Sequence, residues 1–217
     1  APYDFIWTAS SSLIDIADKQ KVIKGVQSTM ISPIMPIVKR SKAEALGWTK
    51  NEVTNADFYK AVKDKKIVFG MTSASQSYSG LAAYLGLLYV ISGNPDVLTK
   101  DDLNKQKLPE TVKSVLSQVA RSSVSSGELK DFIVANHKYY DAMLNYEGMA
   151  WEANQVLAKE GKESMCALMP ADGVVVADYP IGYIDRGNVA KDAFFKELVS
   201  YMKGAEFQAL LKSKGRR

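Results

Sequence analysis

Five of the ten residues in "MTSASQSYSG", positions 71–80, are Ser or Thr. The stretch stands between "KIVFGM", which reads as a strand, and "SGLAAYLGLLYVIS", which reads as a helix. Hydroxyls placed there can do two kinds of chemistry. Gathered at a helix N-terminus, they donate hydrogen bonds to an oxyanion without adding charge, while the helix dipole supplies the field. Alternatively, one of them is activated by a neighbouring base and attacks a carbonyl as a nucleophile. The structural alternative is capping, the routine use of a serine before a helix. A cap needs one hydroxyl, and Ser75, Ser77 and Ser79 supply three. Gly80 adds a position where backbone can approach a ligand closely, because no Cβ intrudes.

Two other junctions share this character. "TASSS" carries Thr8, Ser10, Ser11 and Ser12 after the opening strand, and "NYEGM" places Tyr146 and Glu147 before Gly148. In open α/β sheets, ligands collect where strands end and helices begin, so over-supplied junctions of this kind point to a ligand cleft. Glu147 is open to three readings: it pairs a cationic ligand, accepts from neighbouring N–H groups, or forms a salt bridge. A buried carboxylate facing an anion would be penalised, which weighs against an anionic ligand unless Glu147 points aside.

Other reactive residues are scarce. The chain has one His, His137, and one Cys, Cys166. A single His argues against a His-based metal site, and "NHKYY" around it reads as a solvated helix end. There is no "GxSxG" elbow, so a serine hydrolase using Ser75, Ser77 or Ser79 with His137 as base is the least favoured reading. Cys166 sits in the apolar "MCALMP" and is expected to be a buried, inert thiol. Trp7, Trp48 and Trp151 are assigned to the core rather than to a ligand platform. No catalytic residue, metal or cofactor is assigned.

The elements that must position these residues alternate between strand and helix. "YDFIWTA", "KIVFGM", "DAMLNYE", "MCALMP" and "VVVADYPIGYI" read as strands. Helices are expected at 41–47 and 55–64, over "SSSLIDIADK", and from the apolar "SGLAAYLGLLYVIS", which suits a position between layers. "DDLNKQ", "PETVKSVLSQVARS" and "GELKDFIVANHKYY" read as a helical, more polar excursion. "GMAWEANQVLAKEG" and two amphipathic closing helices complete the series. This alternation predicts an α/β fold with largely parallel sheets. Pro33 and Pro36 exclude a helix over 28–40 and suit an extended segment at an edge or crossing. The stretch 165–185 is similarly extended. If both cross between two lobes, residues 1–38 and 169–217 form one lobe and 39–168 the other.

The bulk numbers set outer limits. The 217 residues are 47% hydrophobic and 24% charged, enough to bury a core. A net charge of +4 is too dilute to argue for nucleic acid. No apolar run reaches the ~18 residues that a membrane span requires. "APYDFIWTAS" begins directly with a strand-like segment, so any signal peptide is expected to have been removed or never present.

Taken in order, "YDFIWTASSSLIDIADK", "SPIMPIVKRSKAEALGW", "KIVFGMTSASQSYSGLAAY", "LNYEGMAWEA", "MPADGVVVADYPIGYID" and "FFKELVSYMKGAEFQALLKSKGRR" resemble bacterial extracellular solute-binding proteins of the type II periplasmic class. The likeness is strongest to the sulfate/molybdate-binding branch and its relatives found beside von Willebrand factor A domains. Gln208 and Gly215-Arg216 fit that branch's usual ending, without the aromatic residue between Gly and Arg. The resemblance implies an α/β fold of two lobes joined by hinge strands. Ser10 and Ser11 would line the cleft from the first lobe, and Ser75, Ser77 and Ser79 from the second. Tyr146 and Glu147 would sit at its mouth. Asp172 and Tyr179 would touch ligand or stabilise the hinge. Family members usually carry a strand-helix-strand unit ahead of the segment matching "YDFIWTASS", so a truncated chain with an incomplete first lobe is expected, and with it some self-association. The implied function is capture of a small polar solute or anion outside the cytoplasm, as a periplasmic protein or cell-surface lipoprotein. The implied partner is a membrane ABC permease or an attached von Willebrand factor A domain. A regulatory or sensing module on the same fold is the alternative.

Overall fold

The computed structural model describes residues 3–105 and 107–217. In chain order the elements are β1 (Phe5–Trp7), α1 (Ser11–Ala17), β2 (Ile23–Ser28), β3 (Ser32–Lys39), α2 (Arg40–Ala45), α3 (Asn55–Lys63), β4 (Phe69–Thr72) and α4 (Tyr78–Ser92). They continue with α5 (Lys100–Leu103), α6 (Leu108–Leu116), β5 (Val119–Ser123), α7 (Ser126–Ala135), β6 (Ala142–Tyr146), α8 (Glu147–Lys159), β7 (Met165–Ala167), β8 (Val175–Ala177), β9 (Pro180–Ile184), α9 (Val189–Lys203) and α10 (Ala205–Ser213). Two compact units result: Ala1–Ser32 with Val176–Arg217, and Pro33–Val175.

The first unit is built on an antiparallel sheet in the order β1-β9-β2. Ile6 stands opposite Gly182, and Lys24 opposite Tyr183. Alternation along β9 sends Ile181 and Tyr183 to one face, where they pack with Phe195, Val199 and Met202 of α9. Phe5 stacks on Phe195 at 5.7 Å between ring centroids. The β2 register breaks between Lys24 and Gln27, and Gly25 takes φ +60 there. A side chain at Gly25 would be strained and would meet the Phe195 ring, so glycine makes this bulge possible.

The second unit holds a sheet ordered β5-β4-β6-β3-β7, with β8 pairing β3. β4 runs parallel to β5 and β6, whereas β3 is antiparallel to β6 and β7. The expectation of largely parallel sheets therefore gives way to one mixed and one antiparallel sheet. Every residue of β3, β4 and β6 is buried, as strands covered on both faces require. Phe69 and Met71 face Tyr59, Ala83 and Leu87 of α3 and α4, while Gly70 faces Leu129 and Ile133 of α7. Phe58 meets Phe69 edge-on at 5.7 Å. The two prolines of β3 fit because β7 pairs only Ile37, Val38 and Lys39, leaving both outside that ladder.

One stretch expected to be helical is not. α6 stops at Leu116, and Val119–Ser123 pairs parallel to β4 as an edge strand. Its sequence, "VARSS", lacks strand-like alternation because an edge strand buries little; Ser123 is its one buried residue.

Candidate functional site

The C-terminal ends of the parallel strands β4, β5 and β6 share one edge of the second unit's sheet, and each feeds a helix: α4, α7 and α8. Three helix N-termini thus gather above one strand edge, the usual ligand position in α/β sheets.

The residues of 71–80 make a hydroxyl cluster there. Ser79, fully buried, is its hub: its Oγ lies 2.7 Å from Thr72 Oγ1, 2.8 Å from Ser126 Oγ and 3.2 Å from Ser77 Oγ. A hydroxyl donates one hydrogen bond and accepts two, so these three neighbours saturate Ser79. Ser79 gives its proton to one neighbour and accepts from the other two. One of Thr72, Ser77 and Ser126 therefore keeps its proton for another acceptor. Thr72 is buried, which leaves the half-buried Ser77 or Ser126, whichever receives the Ser79 proton, as the outward donor. Ser75 is exposed and lies 3.1 Å from Ser73 Oγ.

Ser77 occupies the N-cap position of α4 in extended conformation, yet its side chain makes no capping bond. The first N–H groups of α4, those of Tyr78, Ser79 and Gly80, lie beyond reach of any helical carbonyl. α8 likewise starts without a side-chain cap at Tyr146. By contrast, α7 is capped: the Glu128 N–H donates to Ser125 Oγ at 3.2 Å. Gly80 has a reason internal to the fold. A Cβ there would stand 2.6 Å from the carbonyl carbon and oxygen of Ser73, and closer still to Thr72 O. The close approach that Gly80 permits is that of α4 onto β4.

Tyr146 is buried at the end of β6, and its N–H donates to Asn145 Oδ1 at 2.9 Å. Asn145, fully buried, also donates from Nδ2 to Ser126 O at 3.0 Å, tying β6 to α7. Glu147 is the first residue of α8, where the positive end of the helix dipole favours a carboxylate. The cation of β5, Arg121, is held by Glu128 at 3.0 Å and lies 4.3 Å over the Phe132 ring. Sequence reading missed Thr72, Ser126 and Asn145 as members of this edge. A signal existed for one of them: "SSGE" at 125–128 has the spacing of a helix-start capping box.

The first unit treats its serines differently. Ser10, buried, caps α1, with the Ser12 N–H donating to its Oγ at 3.3 Å and the two hydroxyls 2.8 Å apart. The Ser11 N–H donates to Asp178 Oδ1 at 2.9 Å, so a carboxylate already stands at this helix start. Tyr179 adopts φ +37, an uncommon conformation for a bulky residue. Its carbonyl accepts from Trp7 Nε1 at 3.2 Å and Thr29 Oγ1 at 2.9 Å, and its N–H donates to Ala9 at 3.3 Å.

Asp172 belongs to another part of the second unit. Its Oδ1 accepts from the Asn55 backbone N–H at 2.8 Å and from Asn55 Nδ2 at 2.9 Å, at the start of α3. There it lines a cavity of about 450 Å³ together with Tyr59. Burial, and secondly the Asp172 charge, push the Tyr59 hydroxyl well above the usual tyrosine range.

His137 lies past the C-terminal end of α7, buried, with no hydrogen-bond partner for Nε2 among the described residues. Ser126 opens the same helix, which at ~1.5 Å per residue separates the two by about 15 Å. A general base must stand within about 3.2 Å of the hydroxyl it activates. The chain's one histidine therefore has no access to the hydroxyl cluster. Cys166 is half-buried. Among the described residues, no helix is long and apolar enough to cross a membrane.

Comparison with known proteins agrees with this architecture. The profile of the bacterial extracellular solute-binding protein family matches residues 1–217. The chain belongs to this family, whose members bind solutes outside the cytoplasm. Its fold is that of periplasmic binding proteins. A periplasmic thiamin binding protein superposes with a TM-score of 0.68 at 11% identity, over 99% of this chain and 64% of that one. The sulfate-binding protein SubI from Mycobacterium tuberculosis H37Rv gives 0.64 at 16% identity, over 100% and 69%. A two-component system protein that mediates signal transduction gives 0.57 at 18% identity, over 99% and 61%. The chain thus spans between 61% and 69% of the length of these three structures. A search of curated protein sequences found no match.

Proposed function

We propose that this chain is a non-catalytic capture protein that holds a small polar solute of the oxyanion class at the hydroxyl-lined edge of β4, β5 and β6. One observation carries the reading: Ser77 stands at the N-cap of α4 but turns its hydroxyl to Ser79, leaving the helix start without a side-chain cap. An uncapped N-terminus with neutral hydroxyls beside it is a ready acceptor of negative charge. The first N–H groups of α4 and whichever of Ser77 and Ser126 keeps its proton free are the proposed contacts, with Ser79 organising them. Ser75, exposed on the same loop, is a peripheral contact. Tyr146 and Glu147 border the edge, and Glu147 limits the total negative charge that it accepts. In the first unit the Ser10 hydroxyl is committed to the cap of α1 and the Ser11 N–H to Asp178. Asp172 and Tyr179 are proposed to have structural roles towards this solute. Delivery of the solute to a membrane transporter of the ABC class, from the periplasm or a lipid anchor, completes the proposal. Reporting it to an attached signalling domain is the second reading, favoured by the likeness to a signal-transduction protein.

Calorimetric titration with sulfate, molybdate, tungstate and small organic acids tests this. Saturable binding that Ser77→Ala weakens supports it; silence across the panel, with folded protein, overturns it.

A further inference from the structure

We infer that the cavity of about 450 Å³ beside α3 and α4 is a second small-molecule site, which takes an organic cation on an apolar body. It lies wholly within Pro33–Val175 and shares no lining residue with the hydroxyl cluster, so the inference stands apart from the proposed solute site. The volume falls in the ~300–1,000 Å³ range of small-ligand pockets. Ile34, Leu85, Leu144 and Val175 give it apolar walls.

Its polar end selects for positive charge. Asp172 receives both of its hydrogen bonds from Asn55, and both on Oδ1. Among the described residues no Lys or Arg pairs with it, so Oδ2 is left to accept. The second Asn55 amide bond goes to Gly173 O at 2.7 Å, so both protons of Asn55 Nδ2 are already committed. A half-buried carboxylate with an open oxygen repels anions and favours an ammonium donor. Tyr59 and Tyr89 add aromatic rings, the usual neighbours of organic cations. Gly86, also in the lining, leaves room: only Val175 Cγ2, at 3.9 Å, comes near the position of a Cβ there.

Phenethylamine, 2-phenylethanol and 3-phenylpropionate share a body and differ in charge. Calorimetry or ligand-observed NMR on the 217-residue chain should show saturable phenethylammonium binding, about tenfold weaker binding of the alcohol, and none of the acid. Asp172→Asn should weaken phenethylammonium about tenfold. Gly86→Leu should abolish binding while keeping or raising the melting temperature, because leucine suits a helix interior better than glycine. Ser77→Ala should change nothing at this cavity, which separates failure here from failure of the solute site. The inference is overturned by absence of saturable phenethylammonium binding up to about 10 mM. Equal binding of all three probes, or binding indifferent to both cavity variants, overturns it as well.

Discussion

The serine-rich junctions at 8–12 and 71–80 look alike as strings of letters and behave oppositely in the fold. In the first, Ser10 caps α1 and Asp178 takes the Ser11 N–H, so the helix start is satisfied from within its own unit. In the second, the residue at the cap position bonds another hydroxyl, and the helix start is left uncapped. The lesson is that a serine before a helix becomes a candidate ligand donor only when its hydroxyl is diverted from the backbone. The difference arises from packing. Gly80 lets α4 press against the end of β4, which brings Ser79 under Thr72 and draws Ser77 towards it.

The strongest way to break the comparison is Gly80→Ala. The added methyl meets backbone atoms of Thr72 and Ser73, which cannot swing aside. Urea unfolding should show a loss of about 2–3 kcal/mol, in the range of overpacked cores. A loss near zero would mean that α4 does not depend on this close approach.

Next in size is the paired test of the two serines. Ser10→Ala should cost about 1 kcal/mol of stability and leave solute affinity alone. Ser77→Ala should change stability by less than about 0.5 kcal/mol and weaken solute binding about tenfold. If both variants lose stability equally, the distinction between cap and diverted hydroxyl is wrong.

A pH profile sharpens the same contrast, because stability and binding should respond differently. Burial, and secondly the charge of Lys39, hold the His137 pKa below its ordinary value of 6.5. The unfolded chain therefore binds the proton more readily than the folded one. The contribution is fully present above pH 6.5 and is lost as pH falls from there through the lower folded value. His137→Gln should flatten this slope. Affinity for sulfate or molybdate should stay level from about pH 6 to 8, since serine hydroxyls do not titrate there.

The smallest effect is expected at Ser75. It is exposed and, among the described residues, bonded only to Ser73, so Ser75→Ala should alter stability by less than about 0.5 kcal/mol, as measured in the same urea experiment.

Much of this arrangement was legible in the sequence, for identifiable reasons. The apolar run of α4, the proline-marked extension of β3 and the junction at 71–80 are local signals, and each forms the element expected, although β3 lies between β6 and β7 and not at a sheet edge. β5 was not legible, because an edge strand rich in serine carries no alternation, and with it went Ser126. Who bonds whom was also hidden. Asp172 reaches Asn55 across 117 residues of chain, and no spacing rule announces that. The diversion of Ser77 depends on how closely α4 approaches β4, a tertiary fact with Gly80 as its one trace in the sequence.

The central claim is that the start of α4 accepts the solute. Titration of isotopically labelled protein with sulfate and molybdate, followed by amide proton–nitrogen spectra, tests it most directly. The amide signals of Tyr78, Ser79 and Gly80 should shift most on saturation, and those of Ser12 and Leu13 at the capped helix least. Saturable binding that leaves the three α4 amides unmoved would contradict the account.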